Sequence, residues 1–112
     1  MSLVYPRKNY LYATISDADT VVVIDAAKKQ VVTTVGVGDT PLGVAYNPRD
    51  GNMYVANYGD GTVSVIDSNT NSVSATIPVG QGPQWLAFNP HNGNLYVTNS
   101  GSNTVSVLGI SH

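Results

Sequence analysis

Residues 54–67 read Tyr54-Val55-Ala56-Asn57-Tyr58-Gly59-Asp60-Gly61-Thr62-Val63-Ser64-Val65-Ile66-Asp67: a strand, a tight turn and a second strand. β-branched and aromatic residues suit a pleated surface, and Gly59, Asp60 and Gly61 supply turn chemistry between the two halves. The stretch returns 42 residues later as Tyr96-Val97-Thr98-Asn99, then Ser100-Gly101-Ser102-Asn103 and Thr104-Val105-Ser106-Val107-Leu108. A looser copy precedes it, Tyr12-Ala13-Thr14-Ile15 followed by Thr20-Val21-Val22-Val23-Ile24-Asp25. The copies align without a gap, and residues 10–51 and 52–93 agree at 15 of 42 positions. A third copy starts at Asn94 and reaches His112, less than half a period, and its first 16 residues match the second copy at nine positions. Pro6, Pro48 and Pro90 keep the same interval, so residues 2–9 read as the end of a strand that closes a preceding copy.

A period of 40–50 residues with several strands per unit is the signature of propeller blades. Each period divides into four strands. Strand A is Leu42–Asn47, and Trp85–Asn89 in the next period; the turns Asn47-Pro48-Arg49-Asp50-Gly51 and Asn89-Pro90-His91-Asn92-Gly93 follow. Proline fixes φ and glycine accepts φ > 0, the requirement of a short hairpin loop. Strand B is Asn52–Asn57, with counterparts Tyr10–Ile15 and Asn94–Asn99. Strand C is Thr62–Asp67, and strand D is Ser72–Val79, in which Val73, Ala75, Ile77 and Val79 are expected on one face. The fold class expected is therefore all-β, four-stranded antiparallel meanders forming about two and two-thirds blades. Residues 1–112 then make one partial propeller, with blade repeats 10–51 and 52–93, a partial repeat 94–112, and eleven strands in all.

Strands B and C are apolar on both faces, with Val55 opposing Tyr54 and Ala56, and Val63 and Val65 opposing Ile66. A sheet apolar on both sides must be covered on both sides. In a propeller each blade covers the next, and ring closure removes the uncovered ends. Fewer than three blades leave two faces bare, so the expected partner is the chain itself, a dimer closing a six-bladed ring, or the missing blades of a longer parent chain. Met1-Ser2-Leu3 reads equally as a natural start or as a start added to a segment of a longer protein.

Composition narrows the chemistry. Charged residues make up 11% of the 112 residues, all seven acids are Asp, and the net charge is −2. That balance, with no basic run, disfavours nucleic-acid binding. The absence of Cys removes disulfides, thiol catalysis and Cys-based zinc sites. No apolar run approaches the roughly 20 residues of a membrane-spanning helix, and the N-terminal residues lack the apolar core of a signal peptide.

The Tyr-Val-Ala-Asn and Tyr-Val-Thr-Asn strands, the Thr-Val-Ser-Val-Ile-Asp strand that follows, the Pro41-x-Gly43 start of strand A and the Asn-Pro-x-x-Gly turn together resemble the YVTN family of β-propeller repeats. The resemblance covers essentially the whole chain. It implies a seven-bladed ring as the common form and a surface-layer or exported protein, hence an extracellular or cell-surface location with the leader absent from this chain. The propellers of lactonases and of nitrite-reductase and amine-dehydrogenase relatives are similar. Copy one departs from the pattern with Ile15 in place of Asn57 and Asn99, and copy three with Gly109 in place of Asp25 and Asp67.

Strands alternate in direction, so the B–C and D–A loops share one end of the ring, the usual binding face of a propeller. The candidate ligand-binding residues there are Asp39, Asn57, Tyr58, Asp60, Gln84 and Trp85, joined by Thr40 and Ser100. Each has a structural reading beside the functional one. Asn57 and Asn99 suit a side-chain amide that shapes the B–C turn. Asp25 and Asp67 suit Asx-turn acceptors. Trp85, the only Trp, suits core or inter-blade packing, or an aromatic at the mouth of a central channel. Asp17-Ala18-Asp19 lacks the Gly and Glu of a calcium loop. His91 and His112 have no partner at triad or metal-ligand spacing. No catalytic residue, metal ligand or cofactor is assigned. The expected function is a non-enzymatic propeller scaffold or interaction module; the alternative is a fragment of a propeller enzyme of lactonase or dehydrogenase type.

Overall fold

The computed structural model describes residues 3–4 and 10–109. Among these, eleven strands run β1 (Leu3–Val4), β2 (Tyr10–Ile15), β3 (Thr20–Asp25), β4 (Gln30–Gly36), β5 (Pro41–Asn47), β6 (Asn52–Asn57), β7 (Thr62–Asp67), β8 (Ser72–Pro78), β9 (Pro83–Phe88), β10 (Asn94–Asn99) and β11 (Thr104–Gly109). They form three antiparallel sheets, β1-β2-β3-β4, β5-β6-β7-β8 and β9-β10-β11, each a meander of sequential neighbours. Among the described residues these are two four-stranded blades and a third of three strands. The B and C strands have the bounds the repeat predicts. One turn of 3-10 helix, Ser16–Ala18, links β2 to β3 where the later copies have a Gly-containing turn.

The period is written in the backbone as well as in the side chains. Positive φ occurs at Asp19 (55°), Gly61 (69°) and Asn103 (56°), at Lys29 (55°) and Asn71 (53°), at Thr40 (54°) and Gly82 (63°), and at Gly51 (74°) and Gly93 (76°). Within each group the members lie 42 residues apart. The left-handed region is thus imposed by the blade geometry, and glycine occupies it at only some copies. Lys29 and Thr40 take it against their own preference, which sequence inspection did not reveal.

One expectation is corrected. Val73, Ala75, Ile77 and Val79 do not share a face, because the pairing of β7 with β8 shifts between Val65↔Ala75 and Ile66↔Val73. The extra residue, Ser74, is a β-bulge, and it moves Val73 to the opposite side of the sheet. The same shift recurs one period earlier, where Val23 pairs with Thr33 and Ile24 with Val31.

Two apolar layers hold the sheets together. In the first, Tyr12, Val21, Val23 and Val35 of sheet one meet Met53, Val55 and Ile66 of sheet two, with Val44 and Tyr46 at the margin. In the second, Tyr54, Val63 and Val65 of sheet two meet Leu95 and Val97 of sheet three, with Leu86, Phe88 and Leu108 packed alongside. Sheet two is therefore covered on both faces: Met53, Val55, Ala56, Val63 and Ile66 are all fully buried. Across the first layer Thr14 Oγ1 donates to the Leu42 carbonyl (2.8 Å) and Tyr12 Oη to Asn71 Oδ1 (2.7 Å). The innermost strands of sheets two and three approach closely at Gly43, where a Cβ would stand 2.5 Å from the Gln84 carbonyl oxygen.

Replacing the exposed Lys29 with Gly removes a left-handed penalty of about 1–2 kcal/mol at the cost of about 0.5–1 kcal/mol of chain entropy. We expect Lys29→Gly to raise the thermal midpoint by a few degrees, read by circular dichroism, and Val32→Gly on the neighbouring strand to lower it.

Candidate functional site

The end of the molecule that carries the B–C and D–A loops is built from mutual hydrogen bonds. The loop after β4 lies against the turn after β6: Tyr58 N–H donates to the Thr40 carbonyl and Gly59 N–H to the Asp39 carbonyl, both at 2.9 Å. One period on, Ser100 N–H donates to the Gly82 carbonyl and Gly101 N–H to the Gln81 carbonyl, again at 2.9 Å. Each D–A loop is thereby zipped to the B–C turn of the blade it enters.

Asn57 sits at the root of this zipper and is fully buried. Its Oδ1 accepts the Gly38 N–H (3.2 Å), and its Nδ2 donates to Thr62 Oγ1 (3.1 Å) and Ser64 Oγ (2.8 Å). All these bonds are internal, so the amide braces the loop from below. Asn99 repeats the donor half toward Thr104 Oγ1 (3.3 Å) and Ser106 Oγ (2.9 Å), while its Oδ1 is buried with no partner. A Cβ on Gly80 would lie 2.8 Å from the Asn99 side chain, so glycine is what lets the loop approach the amide. Sheet one lacks this amide bracket because Ile15 replaces the Asn. The signal was present in the sequence as a coupled change: copies two and three carry Asn, Thr and Ser at these three places, and copy one carries Ile15, Thr20 and Val22.

Asp39 and Asp60 stand above Asn57 at the surface. The Asp39 N–H donates to Asp60 Oδ2 (2.9 Å), Thr40 Oγ1 donates to Asp39 Oδ1 (2.8 Å), and the Thr40 N–H donates to Asp19 Oδ1 (2.9 Å). The third blade keeps the first of these, with Gln81 N–H donating to Ser102 Oγ (3.2 Å). Beside Asp60, a groove of about 230 Å3 runs between sheets one and two, lined by Gly36, Val37, Gly38, Asp60, Ser64, Val73 and Thr76. Tyr58 is half exposed, and its ring lies 3.2 Å from where a Cβ on Gly82 would stand.

Gln84 and Trp85 lie elsewhere, on the innermost strand of sheet three. Gln84 presents its backbone carbonyl to Gly43. Trp85 is 59% exposed, so the packing expected for it is not made within one chain. The predicted residues therefore divide into a braced cluster, Asp39, Asn57 and Asp60 with Tyr58 beside it, and an aromatic on an uncovered sheet face.

At the opposite end of the sheets the Asp and Asn residues cap turns. Asp25 Oδ1 accepts the N–H groups of Ala27 and Lys28, Asp67 Oδ1 that of Asn69, and Asn47 Oδ1 that of Arg49. Arg49 reaches across to donate to the Pro90 carbonyl at 2.8 Å. Tyr54 donates its hydroxyl to Asp50 Oδ2 at 2.5 Å. Burial, then that bond and the carboxylate's charge, push the phenol well above the usual tyrosine range. Among the described residues, no group of three or more His, Cys, Asp or Glu is placed to hold a metal ion, and no helix is long and apolar enough to cross a membrane.

No protein-family model matches the chain. No curated protein matches it either. Solved structures do. Hydrazine synthase from Kuenenia stuttgartiensis superposes with a TM-score of 0.89 at 25% identity, covering 96% of this chain and 32% of that one. The WD40 β-propeller domain of Doa1 gives 0.79 at 17% identity, covering 94% and 34%. Dihydro-heme d1 dehydrogenase NirN, in complex with DHE, gives 0.77 at 20% identity, covering 97% and 24%. The chain thus spans about a third or less of each of these structures. The fold is that of a partial β-propeller, and its structural neighbours include both enzymes and a WD40 domain.

Asn57→Ala strands the Gly38 N–H and two hydroxyls in the interior. We expect it to lower unfolding stability by about 2–3 kcal/mol, measured by urea denaturation. The same change at Ser100, an exposed turn residue, should cost under about 0.5 kcal/mol.

Proposed function

We propose that the chain is a non-enzymatic β-propeller scaffold or interaction module of YVTN-repeat type, belonging to an exported or cell-surface protein, its ring completed by further blades. One observation carries the reading. Val63 and Val65 of sheet two are buried (0% and 5% exposed), while Val105 and Val107, at the same positions of sheet three, are 59% and 53% exposed. The side chains that bind one blade to the next are present at the end of the stack with nothing over them. Contiguous exposed apolar surface of this kind marks an interaction site.

The loop-face chemistry supports the same reading. Of the polar groups that recur from blade to blade, Asn57, Asp60 and Ser102 accept backbone N–H groups of the neighbouring loop, and Asn99 donates to the Thr104 and Ser106 hydroxyls of its own blade. A propeller enzyme of lactonase or dehydrogenase type needs off-pattern acids and bases converging on the channel. Here Arg49 and His91 sit in the A–B turns at the far end, and Arg49 bonds to the adjacent turn. A second copy is one source of the added blades, and the remaining blades of a longer chain are the other.

Light scattering on the purified chain tests the reading. The expected result is a defined species of twice the mass of one chain at micromolar concentration, with little binding of an apolar dye. A stable monomer that binds no apolar dye and joins no further blades contradicts it. Fractionation of source cells tests the location: recovery in the surface or exported fraction is expected, and recovery in the cytoplasm overturns it.

A further inference from the structure

The uncovered face of sheet three is not a generic apolar surface. It carries Tyr96, Thr98, Val105 and Val107, together with Ala87 and Trp85. Two periods earlier, Tyr12, Thr14, Val21 and Val23 stand at the corresponding positions of sheet one, with the same four identities. Those four are the residues by which sheet one grips sheet two, and all are buried to within 1%. The middle copy departs from them at one place, Ala56 for Thr. The open face is therefore a second example of an interface that the chain already makes.

Its counterpart is also specified. The surface gripped by Tyr12, Val21 and Val23 is made by Met53, Val55 and Ile66. The corresponding residues of sheet one are Leu11, Ala13 and Ile24, aliphatic at every position and placed on the side of sheet one away from sheet two. Leu11 and Ile24 are half-buried, and Ala13 is buried within the chain itself. One end of the stack thus bears the gripping face and the other end bears an analogue of the gripped face.

We infer that the occupant of the sheet-three face is the first sheet of a second copy, with Tyr96, Val105 and Val107 packed on Leu11 and Ile24, and that two such seams close two chains about a twofold axis. The inference rests on the scaffold reading above and gives its partner. It also gives Trp85 a place. At Gly43, the corresponding position of sheet two, a Cβ would collide with the incoming strand's backbone. The seam is therefore wider at its inner edge than the joint between sheets two and three, and the Trp85 indole fills the added space. Head-to-tail pairing through unlike faces is the arrangement that closes a ring of stacked blades.

Two blocked variants test the pairing. Val105→Arg with Val107→Arg charges the gripping face at exposed positions. Ile24→Arg, or Leu11→Lys if the first fails to fold by circular dichroism, charges the gripped face. Each variant alone should self-associate about a hundredfold or more weakly than the parent, the scale of an interface hot spot. Mixed, they should pair one-to-one through the single seam that both leave intact, more weakly than the parent closes through two and more strongly than either variant alone. Trp85, the only Trp, supplies the readout, its emission moving to shorter wavelength as the seam forms. If the Ile24→Arg chain dimerises alone, sheet three pairs with sheet three, and the inference falls while the scaffold reading stands. If the parent associates but the mixture pairs no better than either variant alone, the head-to-tail seam is likewise refuted. If the parent itself remains monomeric, completion by a second copy fails, and joining to blades of a longer chain is what then tests the scaffold reading.

Discussion

A β-sheet with apolar side chains on both faces has no stable existence alone in water, and this constraint governs the whole molecule. Strands B and C of each repeat place Tyr and Val on one side and Met, Val, Leu or Ile on the other. Each sheet must be sandwiched, and the sequence supplies the sandwich by repeating itself. Sheet two shows the satisfied state, with Val55 and Ala56 fully buried on opposite faces of one strand. Sheet three shows the unsatisfied state, with Leu95 and Val97 buried on one face and Val105 and Val107 open on the other. Burial of apolar surface is worth roughly 25 cal/mol per Å2, so the open face of sheet three is stabilisation that one chain leaves unused.

Polar groups serve this stacking. Loops that join blades carry backbone amides that need partners in a partly buried place. Asn57, buried beneath the loop after β4, supplies one acceptor, and Asp60 supplies another. In the third blade Asn99 and Ser102 stand in the same places, with Ser102 accepting the Gln81 N–H. The bonds fix the angle at which one strand D passes into the next strand A, and thereby the angle between sheets. Residues that attract attention as ligands because they recur are thus accounted for by what recurs in the backbone.

Much of this was legible in the sequence. The phase of 42 residues placed strands B and C without error, because identical turns at identical intervals leave little freedom in register. The asparagine that ends strand B was readable as a turn-former. Three features were not. The bulge at Ser74 interrupts a Val-x-Ala-x-Ile-x-Val pattern that looks like unbroken alternation, since a bulge on an edge strand has no compositional mark. The left-handed backbone at Lys29 and Thr40 is imposed by the fold on residues that do not favour it. Trp85 appeared as a core residue by type, and its exposure follows from the open face of sheet three that it shares with Val105 and Val107, which composition does not encode. The division of the candidate site into a braced cluster and an exposed aromatic follows from the same facts.

Hydrogen exchange resolved by strand, followed as a function of protein concentration, tests the need for two-sided cover most directly. The account predicts slowest exchange in β6 and β7, covered on both sides within one chain, and protection in β10 and β11 that rises as concentration brings a second copy onto sheet three. Equal protection across all three sheets, unchanged by concentration, would contradict it.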